Sequence, residues 1–182
     1  MKRILFGLLG LALGVAVYTQ VAMRTAHGTP PPMAAAQDQA DAVVVDKAAR
    51  RLTLMREGAV LAEYAISLGG APAGHKQREG DKRTPEGTYV IDWRNGQSIA
   101  HLSLHISYPN ADDRNAAAAR GEDPGGNIMI HGILNGWGWL GALHLGWDWT
   151  NGCIAVPNTE MRELWSLVPN GTPITILPGR SA

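Results

Sequence analysis

Short apolar runs alternate with polar turns along most of this chain. The runs are three to seven residues long, are rich in Val, Ile and Leu, and are bounded by Gly, Pro, Asn or Asp, a pattern typical of strands. The predicted strands cover residues 43–45, 51–55, 60–66, 88–92, 102–106, 128–131 and 173–177. The first three are predicted to form a meander, because only charged or glycine-containing turns separate them.

Two segments have helical patterns. Residues 110–120 contain four consecutive alanines and end at Gly121, which favours a short helix. A second helix is predicted to begin at Asn158 as its N-cap, because four apolar residues then fall on one face; they are Met161, Leu164, Trp165 and Val168. Strands outnumber helices, so we predict a mainly β fold, a β-sandwich of mixed sheets with one or two packed helices.

The N-terminus has the pattern of an export signal. Lys2 and Arg3 precede an almost uncharged apolar stretch from Ile4 to Tyr18, which is a basic segment followed by an apolar one. Residues 1–22 are predicted to be either a cleaved signal peptide or an uncleaved anchor, and the sequence leaves both open. In either case the basic residues stay on the cytoplasmic side and the rest of the chain faces outward.

Residues 23–41 change in composition and contain Pro30-Pro31-Pro32 followed by an alanine- and glutamine-rich stretch. No apolar period is visible there, so we predict a flexible linker. Residues 42–179 are long enough to form one domain with its own core.

The charge balance argues against nucleic acid as a partner. Sixteen basic and sixteen acidic residues give a formal net charge of zero, and no basic stripe is present. The chain has a single cysteine, which excludes an internal disulfide; a free thiol in an exported protein is usually buried or used in chemistry.

That cysteine, Cys153, follows a polar, glycine-containing turn, and His131 closes an apolar run upstream. The pair predicts a thiol nucleophile with a histidine base. His131 is expected to hold the thiolate as an ion pair and to return the proton to the leaving group. The backbone amides of Gly152 and Cys153 are the expected oxyanion donors, and Asn151 could add a side-chain donor.

Four blocks in order resemble the L,D-transpeptidase catalytic domain, also called the YkuD domain. They are Gly80 to Tyr89, Ile130-His131-Gly132, Thr150-Asn151-Gly152-Cys153-Ile154 and Val168 to Thr172. The resemblance implies a β-sandwich enzyme of the bacterial periplasm or cell envelope, either free or tethered to the inner membrane. Such an enzyme acts on peptidoglycan stem peptides in cell wall biogenesis and cell shape. The resemblance also implies a thioacyl intermediate on Cys153, His131 as base and the Gly132 carbonyl as the group that orients the ring. Thr150 would support the turn, and no cofactor or metal is expected.

The chain departs from the family pattern in three ways. Asn151 stands where a histidine is common, Ala155 stands where an arginine often follows Cys-Ile, and the interval from His131 to Cys153 is long. These departures indicate a divergent branch that could include hydrolases. The missing arginine puts carboxylate recognition, and with it the acceptor, in doubt.

Other residues suggest either additions to this site or different functions. His105 and three tryptophans, Trp137, Trp139 and Trp149, are candidates for a substrate groove, although the tryptophans could equally hold the long loop in place. His144 is a rival base. Six histidines and Asp148 prompt a second hypothesis, a zinc hydrolase, although their spacing fits no zinc motif; a non-catalytic envelope-binding module is the third.

Overall fold

The computed structural model describes residues 2–179, with side chains from residue 6 onward. Met1 of the predicted export signal therefore lies outside the described residues. The helices are α1 (Lys2–Thr25), α2 (Ala111–Ala119) and α3 (Asn158–Leu167). The strands are β1 (Ala42–Asp46), β2 (Arg51–Arg56), β3 (Ala59–Ala65), β4 (Gly87–Asn95), β5 (Ser103–Ile106), β6 (Met129–His131), β7 (Ile154–Ala155) and β8 (Pro173–Leu177). Two 3-10 segments span Ala36–Asp38 and Gly138–Gly146.

The eight strands form one curled mixed sheet in the order β3-β2-β1-β8-β4-β5-β6-β7. The first half of β4 pairs with β8 and its second half pairs with β5, with a register shift between Ile91 and Arg94. A strand that changes partners at such an irregularity turns the corner between two sheet halves. The predicted β-rich, sandwich-like fold with packed helices is therefore confirmed.

The core lies between the two halves of the sheet and under α3. Alternate residues of the strands point into it, as in β1, where Val43 and Val45 are buried and their neighbours are partly exposed. From α3 the core receives Met161, Leu164 and Trp165. The seven predicted strands and two domain helices are all present, and the additional β7 is only two residues long, too short for an apolar period to reveal it.

The start of α3 differs from the prediction. Pro157 is the N-cap and makes no side-chain hydrogen bond, whereas Asn158 is the first helical residue. The Asn158 Oδ1 atom instead accepts a hydrogen bond from the Ile133 amide at 2.8 Å. Asn158 therefore fixes the chain just beyond β6 rather than capping its own helix, because a distant unpaired amide competes for the same oxygen.

The predicted linker lies along the domain with ordered contacts. The helix α1 continues into it as far as Thr25. The Ala34 amide donates to the Ser166 carbonyl at 3.0 Å, and the Ala40 amide donates to the Leu167 carbonyl at 2.8 Å. The segment therefore runs beside the end of α3, with its backbone groups paired to the domain as a packed chain requires.

Candidate active site

The turn before Cys153 is held by one hydroxyl group. Thr150 is buried, and its Oγ1 accepts from the Gly152 amide at 3.1 Å and donates to the Cys153 carbonyl at 2.7 Å. The Thr150 backbone bonds to Leu68 and Gly70 on the neighbouring segment. The Gly152 N–H therefore already has a partner inside the turn. That the amides of Gly152 and Cys153 serve an oxyanion stays a prediction.

Gly152 is required at its position for two reasons. Its φ of +121° lies where side chains are strongly disfavoured, and a Cβ atom there would stand 2.6 Å from the Arg83 carbonyl oxygen. Arg83 belongs to the Gly80 to Tyr89 block, so this block lies behind the nucleophile turn and supports it. Only glycine allows the two backbones to approach this closely.

Cys153 and His131 share one face of the sheet. In the parallel pair β6 and β7, Ile130 lies opposite Ile154 and His131 opposite Ala155. Since side chains alternate along strands, Cys153 and His131 point to the same side, two residues apart along neighbouring strands, which corresponds to Cα atoms about 8 Å apart. Both side chains line one cavity of about 530 Å³, and a thiol and an imidazole can meet across that separation.

The imidazole of His131 is oriented by its own neighbour. Its Nδ1 lies 2.6 Å from the Gly132 carbonyl oxygen, so Nδ1 carries the proton and Nε2 is the basic nitrogen. Gly132 is held in turn by its amide, which donates to the carbonyls of Ala100 and Leu102. A larger side chain does not fit at position 132, because a Cβ on Gly132 would stand 2.6 Å from Asn158 Oδ1.

Burial favours the neutral form of both reacting groups. It lowers the pKa of His131 below its ordinary value of 6.5, and the hydrogen bond to Gly132 opposes this shift. Burial also raises the pKa of Cys153 above its ordinary value of 9.0, although the Met129 amide and the charge of Lys76 act in the other direction. The expected thiolate–imidazolium ion pair is therefore disfavoured in the resting site, because desolvation penalises both charges.

The thiol lies close to a segment that the sequence did not single out. Cys153 Sγ is 3.6 Å from the carbonyl oxygen of Asn127, a residue with φ of +53°. Asn127 carries no recognisable motif. Ser103 and Met129 also line the cavity, and strand alternation could have revealed both, since they lie on the same face as His131.

The cavity wall is rich in neutral polar groups. Asn151 is exposed at its edge, and Trp149 forms part of the wall with its ring centroid 5.8 Å from that of His131. Among the described residues that line it, none is Lys, Arg, Asp or Glu; they are Asn95, Gln97, Ser98, Ile99, Ala100, Ser103, Asn127, Met129, His131, Leu134, Trp149, Thr150, Asn151 and Cys153.

Three of the candidate groove residues lie elsewhere. His105 is stacked on Trp93 and bonded to Asp92 at 2.6 Å, beyond the cavity. Trp137 donates from Nε1 to Thr19 of α1 at 3.1 Å, and Trp139 is tilted against Trp137. Among the described residues that line the cavity, Trp149 is the one tryptophan of the predicted set.

His144, the rival base, lines a second, mostly apolar cavity of about 210 Å³ rather than the one that contains the thiol. Its Nδ1 accepts from Trp149 Nε1 at 3.3 Å, and its carbonyl accepts from Ser67. These contacts fit the structural role of a buried histidine better than that of a base.

Asp148, which the zinc hypothesis used, is already engaged. Its two oxygens accept from the Arg50 guanidinium at 2.7 Å and from the Leu68 amide at 2.9 Å. Within residues 2–179, no three His, Cys, Asp or Glu side chains gather in a way that could hold a metal ion.

Comparison with known proteins shows which solved structures have a similar fold. No curated protein is similar enough to count as a match. Bd1075 from Bdellovibrio bacteriovorus superposes with a TM-score of 0.53 at 23% identity, over 83% of this chain and 52% of that one. The helical cell shape determining protein Pgp2 from Campylobacter jejuni superposes with a TM-score of 0.57 at 20% identity, over 90% of this chain and 56% of that one.

This chain thus spans about half the length of the solved structures it resembles, and at these identities the likeness shows the fold. The family comparison is more specific, because residues 40–176 match the YkuD L,D-transpeptidase catalytic domain. That match covers most of the chain and includes every block around the Cys153 cavity. The chain belongs to the YkuD L,D-transpeptidase catalytic domain family.

Proposed function

We propose that this protein is a cysteine L,D-transpeptidase that acts on peptidoglycan stem peptides. The observation that carries the proposal is the shared cavity of Cys153 and His131, in which the ring presents Nε2 because Gly132 holds Nδ1. Family membership supplies the class of substrate.

In the first half of the reaction, Cys153 Sγ attacks the carbonyl carbon of the L-centre. The thiol proton passes to His131 Nε2 and then to the leaving amine as the C–N bond breaks, which leaves a thioacyl enzyme. In the second half an amine attacks the thioester, loses its proton to His131, and releases the thiol. Because both groups are neutral at rest, proton transfer accompanies the attack instead of preceding it.

Substrate binding would depend on hydrogen bonds from neutral groups. Asn95, Gln97, Asn127 and Asn151 line the cavity, and each side-chain amide can donate to a peptide carbonyl and accept from a peptide N–H. Such groups suit the backbone of a stem peptide. They hold a free carboxylate less firmly than an arginine would.

Hydrolysis by the same site is the second candidate, and Ala155 favours it. Ala155 is fully buried beside His131, where the family often has arginine. If no cation recognises the carboxylate of an acceptor peptide, water can compete for the thioester. The chemistry before that step is unchanged.

We also propose that α1 exports the domain and anchors it at the inner membrane, with the site in the periplasm. Residues Phe6–Thr25 are the one described segment long and apolar enough to cross a bilayer, with a mean hydropathy of 1.7 and 6% of the segment buried. The likeness to a cell shape determining protein supports a role in cell shape. Cells carrying Cys153→Ala in place of the native residue should then change in outline under the microscope.

The deciding experiment follows acylation by intact-protein mass spectrometry. The full chain is incubated with a disaccharide tetrapeptide, with and without an acceptor amine. The native protein should carry an acyl adduct on Cys153 and yield a cross-linked product, whereas Cys153→Ala should do neither. His131→Gln should acylate about 10²- to 10⁴-fold more slowly, the usual effect of losing a general base.

His144→Gln is the matched control, because His144 is also a buried histidine, and the acylation rate of this variant should stay close to native. A larger loss in His144→Gln than in His131→Gln would reverse the two roles. Cleaved peptide without cross-links would identify a hydrolase, and a native chain that never forms an adduct would leave only the binding-module hypothesis.

A further inference from the structure

Residues 134–147, here called the tryptophan segment, form an exposed apolar surface beside the end of α1. Trp139, Leu143 and Trp147 expose 71%, 68% and 56% of their surface, and no Asp, Glu, Lys or Arg occurs in the segment. Large contiguous apolar surfaces of this kind mark contact sites for another molecule or a membrane.

The tryptophan segment touches α1 directly. Tyr18 Oη donates to the Gly136 carbonyl at 2.9 Å, and Trp137 Nε1 donates to Thr19 Oγ1 at 3.1 Å. The approach is close, because a Cβ on Gly136 would stand 2.6 Å from the Ala22 Cβ. The position of α1 in a bilayer therefore also sets the position of this segment.

The length of α1 gives the depth of those contacts. Twenty residues, Phe6–Thr25, form the apolar span, and at about 1.5 Å per residue they match a hydrocarbon core about 30 Å thick. Lys2 and Arg3 precede that span on the cytoplasmic side. Tyr18 then lies about 10 Å, and Ala22 about 5 Å, inside the outer boundary.

We propose that the tryptophan segment inserts into the outer interface of the membrane that α1 spans. Trp139, Leu143 and Trp147 would lie among the headgroups and upper acyl chains, at the depth of about 5–10 Å that interfacial elements reach. Tryptophan favours this zone, since its ring is apolar and its N–H stays hydrated. The proposal rests on the proposed anchoring by α1 and not on the catalytic role of Cys153.

One consequence concerns where the reaction takes place. Leu134 lines both the Cys153 cavity and the apolar cavity of the tryptophan segment. The cavity that holds Cys153 would then lie next to the bilayer surface, which restricts the enzyme to stem peptides near the membrane.

The test measures the depth of a fluorescent label. In a Cys153→Ala background, which removes the single native cysteine, Leu143→Cys is labelled with an environment-sensitive dye. The full chain is reconstituted into vesicles of phosphatidylcholine and phosphatidylglycerol. Some preparations carry a nitroxide quencher near the headgroup, and others carry it deep in the acyl chains.

Val60→Cys is the matched control. Val60 is also an exposed aliphatic residue, at 59%. It lies in β3. The nearest residue along the chain that contacts the tryptophan segment is Ser67, which bonds to His144. Ser67 lies seven positions after Val60, about 23 Å along an extended chain.

The label at position 143 should be quenched at least about twofold more by the shallow nitroxide than by the deep one, as expected for an interfacial depth. The label at position 60 should be quenched by neither. A chain that floats with vesicles but shows equal quenching at 143 and 60 overturns the insertion while leaving α1 as an anchor.

A chain that fails to float overturns both the insertion and the anchor. A label at 143 that is shielded from water but unaffected by either nitroxide would mean that a second copy covers the surface, which also overturns the proposal. None of these results depends on transpeptidase activity, so the two proposals fail separately.

Discussion

Two neighbouring parts of the chain, the nucleophile turn (residues 150–153) and the tryptophan segment (residues 134–147), are built in opposite ways. In the turn, the Thr150 hydroxyl bonds to backbone groups of Gly152 and Cys153. The Thr150 backbone bonds to the backbones of Leu68 and Gly70. In the tryptophan segment, large apolar side chains face outward. Gly141 interrupts its 3-10 turns with φ of 49° and ψ of −131°.

The difference reflects what each part must do. A nucleophile has to be held to within a fraction of an ångström, and a backbone anchored by hydrogen bonds provides that precision. An apolar surface that meets lipid needs only area and the absence of charge. Mutations that disturb the local backbone should therefore reduce the stability and activity that depend on the turn, and they should have little effect in the tryptophan segment.

Alanine at two glycines tests this contrast most strongly. Gly152→Ala places a Cβ 2.6 Å from the Arg83 carbonyl at φ of +121°, so it should cost about 3 kcal/mol of unfolding free energy and nearly abolish acylation. Gly146→Ala meets no atom within 4 Å and should change stability by less than about 0.5 kcal/mol. Denaturant unfolding and the acylation assay measure the two effects, and similar losses in both variants would refute the contrast.

The pH dependence of the thiol sharpens the same contrast. Since burial raises the pKa of Cys153 above 9.0, alkylation by iodoacetamide should be slow at pH 7 and should rise about tenfold per pH unit from pH 7 towards pH 9 without levelling off. Leu143→Cys in the Cys153→Ala background exposes its thiol, so its alkylation should reach half of its maximum near pH 8.5. A lower midpoint pH for Cys153 than for the cysteine at position 143 would instead support a thiolate–imidazolium ion pair in the resting site.

Acylation by peptide should follow His131 instead. Burial lowers the pKa of His131 below 6.5, so the ring stays neutral and basic as the pH falls to 6.5, and the rate drops only when the pH passes below the lowered pKa. The acylation rate should therefore be flat from about pH 6.5 to 9. An acid limb centred above pH 6.5 would contradict this assignment.

Local pattern was enough to predict the strands and the two domain helices, because alternation and glycine-containing turns depend on adjacent residues. It could not predict contacts made across the fold. Asn158 looks like a cap but serves the Ile133 amide, and Lys47 is fully buried because Glu86 meets it at 2.8 Å. Nothing near either residue in sequence indicates these partners.

The same limit applies at the candidate site. The sequence did not indicate that the Thr150 hydroxyl accepts from the Gly152 amide. It grouped Trp137 and Trp139 with Trp149 because all three lie between His131 and Cys153, whereas the contacts of the first two are with α1 and with each other. Which face of a loop meets which neighbour depends on the tertiary arrangement, and composition does not encode it.

Substitutions at Thr150 should have no larger effect on stability than Gly152→Ala, and they separate hydroxyl bonding from packing. Thr150→Val keeps the volume but leaves the Gly152 amide unpaired and removes the bond to the Cys153 carbonyl, which should cost about 1–3 kcal/mol of unfolding free energy. Thr150→Ser keeps both bonds and loses one methyl group, so it should recover most of that loss and nearly all of the acylation rate. If serine were as damaging as valine, the turn would be held by packing of the methyl group instead, and the contrast with the tryptophan segment would lose its basis.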